Sequence, residues 1–179
     1  YWDKPFSVGY ACGRDSVEKL VRHGEKYGVT LMYENLNPRE SLLATNRFDQ
    51  FRMVKEIDSP YLKCCIDTVP VAYAGETLEE YFALMGDKIG HIHLNDGRPT
   101  GHMKWGDGTQ DLDAHLNAMR KYNYTRTITM EMANGSYMLD RSPITAPTSK
   151  RCARTLTEVN WYEQPGYVPL LRFDGAFSA

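Results

Sequence analysis

The feature that most constrains this chain is a recurring pair: a short apolar run followed by a carboxylate or an imidazole, then an amphipathic stretch. Residues 29–33 (VTLMY) stop at Glu34, and residues 62–66 (LKCCI) stop at Asp67. Residues 89–94 (IGHIHL) contain His93, and residues 127–130 (TITM) stop at Glu131. The separations are 33 residues (34 to 67), 26 (67 to 93) and 38 (93 to 131), the lengths of successive strand–helix units.

The apolar runs are short, rich in residues that suit strands, and do not alternate with polar ones. That pattern predicts parallel strands covered by helices rather than a sheet with one wet face. Helices are expected over 16–27, where Gly28 marks the stop, and over 48–57. Thr77 with Glu80 three positions later has the form of a capping box that opens a helix through Met85, and Asp111 is placed to cap a helix over 112–122. Residues 1–14 read as a loop that approaches the first of these units. A last helix is expected over 148–159, and residues 160–179, which mix Trp, Tyr, Pro, Gly and Phe, read as an irregular arm that could cover a neighbouring subunit of a homo-oligomer.

Composition excludes some classes of function. A formal net charge of -2 argues against a nucleic-acid partner, since duplex binding usually needs a basic face. No apolar run approaches the ~18 residues of a membrane span, and no signal peptide is visible. Cys12, Cys64, Cys65 and Cys152 include no CxxC; Cys64 and Cys65 are neighbours on a strand, facing opposite ways. They read as reduced core thiols, so a cytoplasmic location is expected.

Four parallel strands can form an open doubly wound sheet or half of a closed barrel. In an open sheet the four polar strand ends would lie spread along one edge. In a (β/α)8 barrel they curve around one mouth, where such folds keep their sites. The expected architecture is therefore α/β, the C-terminal half (strands five to eight) of a (β/α)8 barrel, spanning residues 1–159. A full barrel needs ~250 residues, so an N-terminal half is expected to complete it.

A cation explains why Glu34, Asp67, His93 and Glu131 would converge, because three bare carboxylates repel. Three oxygen donors with one nitrogen suit Mn²⁺ first and Mg²⁺ or Co²⁺ next, whereas Zn²⁺ sites are richer in His and Cys. Each residue also has a bland reading. Asp67 alone would be a helix cap, and His91 and His93, which share a strand face, could be satisfied core histidines. Four consecutive strands ending alike argue for the set.

The motifs YENLNP (33–38), CCIDT (64–68), GHIHLNDG (90–97), GHMKWGDG (101–108) and TMEM (129–132) resemble the xylose isomerase-like barrel superfamily, also called AP endonuclease family 2. That group includes ketose 3-epimerases, hydroxypyruvate isomerase, inosose dehydratase and endonuclease IV. The resemblance covers roughly residues 14–135. It implies that Glu34, Asp67, His93 and Glu131 fill the four metal positions, with Glu34 and Glu131 also exchanging the substrate proton. It places Arg98 near a substrate-binding arginine, and it implies a sugar or sugar derivative as substrate.

Two departures bear on the reaction. The epimerases and endonuclease IV carry a histidine three residues after the metal-binding aspartate, where this chain has Pro70. Endonuclease IV also needs an aspartate two residues before the position of His102, where this chain has Thr100. These losses count against phosphodiester cleavage and keep a lyase in contention beside an epimerase.

The loop GHMKWGDG holds further candidates. His102 reads as a substrate contact, an acid/base group or a plain loop histidine. Trp105 could stack on a sugar face or anchor the loop, and Asp107 shapes the turn. His91 is a candidate substrate contact, second-layer group or core residue. Glu40 and Asp96 are loop carboxylates, and His23 and His115 fall on helix patterns as surface residues. The function these readings support is a divalent-metal-dependent sugar (phosphate) isomerase or epimerase that removes a proton beside a carbonyl through an enediolate. The alternative is a lyase of C-glycoside deglycosidase or inosose dehydratase type.

Overall fold

The computed structural model describes residues 3–132. Four parallel strands, β1 (Leu31–Glu34), β2 (Leu62–Asp67), β3 (Ile89–His93) and β4 (Thr127–Thr129), pair in chain order. Helical connections carry the chain between them: α2 (Arg47–Ile57), then the short α3 (Thr68–Tyr73) with α4 (Leu78–Met85), then α5 (Leu112–Lys121). Asn46 accepts the amides of Phe48 and Asp49 at the start of α2, the Thr77–Glu80 capping box opens α4, and Asp111 accepts Ala114 N at the start of α5. Each such cap stabilises its helix by about 1 kcal/mol.

The first helix differs from expectation. α1 runs over Phe6–Tyr27, so residues 6–14 are helical rather than loop. Gly9 and Gly13 lower the local helix propensity and hide the start from sequence reasoning. Tyr10 is nonetheless buried, with its hydroxyl donating to Glu56 of α2 at 3.0 Å, and tertiary packing holds the segment. The helix expected over 148–159 and the arm over 160–179 lie outside the described residues, as does the boundary between them.

The sheet has two unlike faces, and this positions the site. Ile66, Ile92 and Leu94 are fully buried in one core with Met53 and Val54 of α2, Leu78 and Tyr81 of α4, and Leu116 and Met119 of α5. Full burial of each such aliphatic side chain contributes about 1.5–3 kcal/mol. Alternation then sends Cys65, Asp67, His91 and His93 to the other face. The register is staggered as in a barrel: Asp67 is level with His93, while Glu34 is level with Cys65 and His93 with Thr129. No helix among the described residues is long and apolar enough to cross a membrane.

Candidate metal centre at the strand ends

Ligand atoms of Glu34, Asp67, His93 and Glu131 all lie within 4.8 Å of one another. His93 Nδ1 sits 2.6 Å from Glu34 Oε1 and 2.9 Å from Glu131 Oε2. The hydrogen bond to Glu34 holds the His93 pKa above its ordinary value, against the opposing effect of burial, and the charges of Glu34, Glu131 and Asp67 add to it. The centre is therefore built to favour positive charge. Three oxygen donors and one imidazole fit a single Mn²⁺, Mg²⁺ or Co²⁺.

Asp67 is the buried member, 2 % exposed. It terminates β2 and also caps α3, its Oδ1 accepting Val69 N at 2.8 Å. Capping and ligation are compatible, because a carboxylate has acceptor capacity to spare. Its Oδ2 lies 2.7 Å from His102 Nε2, and that hydrogen bond raises the His102 pKa from its ordinary value.

Sequence reasoning missed three polar residues that brace Asp67, directly or through one another. Asn35 donates to Asp67 O at 3.1 Å and accepts Asp67 N at 2.7 Å, extending the strand pairing by one side chain. Asn95 donates to both Asp67 oxygens at 3.3 and 3.4 Å and accepts Glu131 N at 2.7 Å, so it ties Asp67 to Glu131. Thr68 donates its hydroxyl to Asn95 O at 2.7 Å and accepts Asn95 N at 2.9 Å. The signal was present: an asparagine directly after Glu34 and another two after His93, at strand ends whose polar groups must be satisfied if buried.

His91 lies below the centre. Its Nδ1 and Nε2 pair with the hydroxyls of Thr127 at 2.6 Å and Thr129 at 2.9 Å, and its ring stands edge-on to His93 with centroids 5.0 Å apart. Burial and the neighbouring His93 lower its pKa. Both ring nitrogens are thus occupied within the floor of the site. Cys65 joins His91 and His93 in a second cluster within 4.8 Å, but burial and the nearby carboxylates push its thiol pKa up, which disfavours the thiolate a metal needs.

Around the mouth loop, one residue departs from expectation, His115. Trp105 is 3 % exposed and donates its indole N–H to Leu94 O at 3.1 Å, so it anchors the loop. Arg98 is exposed at a turn closed by its own amide on Thr100 O at 2.9 Å, and makes no ion pair with Glu34, Asp67 or Glu131. Glu40 is exposed on the β1–α2 loop and adds to the negative field at His102. His115 is buried, not at the surface: α5 turns it inward against Trp105, where Nε2 meets Gln110 Oε1 at 3.0 Å. Burial lowers its pKa to about 4. His23 is exposed beside Tyr27, as expected.

Parallel strands with helices on one face and converging polar groups at their C-terminal ends define a segment of a (β/α) barrel. The chain belongs to the xylose isomerase-like TIM barrel family, whose profile matches residues 1–156. It is 27% identical over 120 residues to fructoselysine 3-epimerase of Escherichia coli O157:H7, a match covering 66% of this chain and 44% of that one. It is 24% identical over 141 residues to D-psicose 3-epimerase of Enterocloster bolteae, covering 73% and 44%. The chain thus spans less than half the length of these curated relatives. Among solved structures, 3-keto-D-glucoside 4-epimerase from E. coli in its apo form superposes with a TM-score of 0.70 at 20% identity, over 87% of this chain and 56% of that one, a likeness of fold.

Proposed function

We propose that the whole protein is a divalent-metal-dependent sugar isomerase or epimerase, and that this chain supplies its metal centre and its acid/base pair. The observation that carries the reading is the convergence of Glu34, Asp67, His93 and Glu131 within 4.8 Å at the ends of four successive strands. The names of the relatives support a sugar substrate.

In this reading the four residues hold Mn²⁺, with Mg²⁺ or Co²⁺ as substitutes. When bound, the cation polarises a sugar carbonyl and its neighbouring hydroxyl, which acidifies the adjacent C–H. Glu34 and Glu131 approach from strands on opposite sides of β2 and β3, so one can remove the proton and the other return it. Asp67 is the fixed ligand, held from four directions by Val69, Asn95, His102 and, through its backbone, Asn35. Glu131, with its side chain 56% exposed, is the open one through which a substrate enters. His102 orients Asp67 and stands ready to contact a substrate hydroxyl; His91 supports His93 from below.

The remaining barrel units, from another part of the protein, would cover the β1 edge, where Val29 and Met32 are 54% and 43% exposed. Such exposed apolar edges need a partner. We place the enzyme in the cytoplasm as a homo-oligomer, without nucleic-acid partners.

A lyase is the second reading, favoured by one observation. Pro70 is buried in α3 at the position where the family resemblance implies a histidine, and the imidazole near Asp67 comes from His102 instead. Stripping the whole protein of metal, restoring Mn²⁺ and analysing products from ketoses, inososes and 3-keto-glycosides tests both. An epimerised or isomerised sugar supports the first reading. A dehydrated sugar or released aglycone supports the second, and no metal-dependent product contradicts both.

A further inference from the structure

Asp96 is 2 % exposed and pairs with no lysine or arginine among the described residues. Four backbone amides satisfy it instead. Oδ1 accepts Gly97 N at 2.8 Å and Gln110 N at 3.1 Å; Oδ2 accepts Gly106 N at 3.0 Å and Gly108 N at 2.9 Å. Amide donors converging on one carboxylate make strong, charge-assisted hydrogen bonds. The loop is shaped to allow this. Gly106 sits at φ +101, a conformation closed to L side chains, and a Cβ on Gly108 would run into the Asp96 carboxylate.

The same residue fixes where His102 goes. The Asp96 amide donates to Met103 O at 3.1 Å, and Met103 N donates back to Asp96 O at 2.9 Å. His102, the preceding residue, is thereby delivered with its Nε2 2.7 Å from Asp67. Trp105 pins the far side of the loop on Leu94. We propose that Asp96 is a positioning residue: its carboxylate holds residues 97–110 in the one conformation that seats His102 on Asp67, and so presets the metal centre. The functional part of this proposal rests on the reading of Asp67 as a metal ligand.

The test compares the whole protein with its Asp96→Asn, His102→Gln and doubly substituted forms, by Mn²⁺ titration and by amide hydrogen exchange without metal. Asparagine keeps the size of Asp96 but turns an N–H toward two amide donors. The expected result is that each single substitution weakens Mn²⁺ binding on the order of tenfold, and the double form is no weaker than the worse single form. The amides of Met103, Gly106 and Gly108 should exchange about tenfold or more faster in Asp96→Asn. Losses that multiply in the double form, or amides that exchange as in the parent, overturn the proposal. If the parent binds no Mn²⁺, the metal reading fails by itself and the amide exchange alone decides the role of Asp96. Should Asp96→Asn not fold, Gly108→Ala displaces the carboxylate without altering its charge, with the same outcomes expected.

Discussion

His102 and Asp67 meet at 2.7 Å, the histidine from a loop after β3 and the aspartate from the end of β2. Asp67 is 2 % exposed, so this contact and those of Asn95 and Val69 decide which way its carboxylate points. In the proposed metal centre a carboxylate buried and fixed on several sides would be a preformed ligand, and preorganisation of this kind raises metal affinity.

Asn95 offers the clearest check on that scaffold. Asn95→Ala removes its side-chain contacts to Asp67 and to the Glu131 amide. We expect Mn²⁺ affinity to fall by about 10–100-fold. Stability should fall by about 1–3 kcal/mol, because buried partners are left unsatisfied. Calorimetric titration and urea unfolding measure the two effects separately.

Glu131→Gln should lower turnover by about 10²–10⁴-fold. Its side chain is 56% exposed, the most open of the four, so metal binding should suffer less than in Asp67→Asn. Parallel measurements of Mn²⁺ affinity and of turnover at saturating metal separate the proton-transfer role from ligation.

Trp105→Ala should act on stability rather than on substrate. The indole is buried on His115 and Leu94, so its loss should cost about 3–5 kcal/mol, with KM for the sugar changed less than about twofold in protein that remains folded. A large rise in KM with little change in the urea midpoint would mean that the ring touches substrate.

His115 predicts a pH dependence of stability. Burial depresses its folded pKa from 6.5 to about 4, so the unfolded chain binds the extra proton between those values. Its contribution is therefore complete above about pH 6.5 and is lost as pH falls toward 4, on the order of 3 kcal/mol in all. His115→Asn should be less stable at pH 7 but lose less on going to pH 4.5. Parallel stability curves for the two proteins in denaturant would contradict this.

Much of this architecture was legible because the strands are continuous apolar runs and the helices carry explicit caps. The Thr77–Glu80 box and the Asp111 cap fall where the sequence places them. The convergence of Glu34, Asp67, His93 and Glu131 was legible because their spacing follows the strand–helix period. What escaped is tertiary. α1 begins ten residues before its expected start at Ser16, because helix packing overrides two glycines. His115 is buried rather than at the surface, since only the folded loop brings it to Trp105, with ring centroids 5.9 Å apart. Asn35 and Asn95 work through contacts across 28 to 36 residues of chain, which no local pattern encodes.

In the proposed function Glu34, Asp67, His93 and Glu131 hold one cation that supports proton transfer on a sugar. The most direct measurement is NMR of carbon-bound protons while the whole Mn²⁺-loaded protein is incubated in D₂O with ketoses, inososes and 3-keto-glycosides. Deuterium is predicted to enter a sugar carbon next to a carbonyl, and to stop entering it in Glu131→Gln and after chelation. Bound Mn²⁺ with no exchange into any of these sugars would contradict the account.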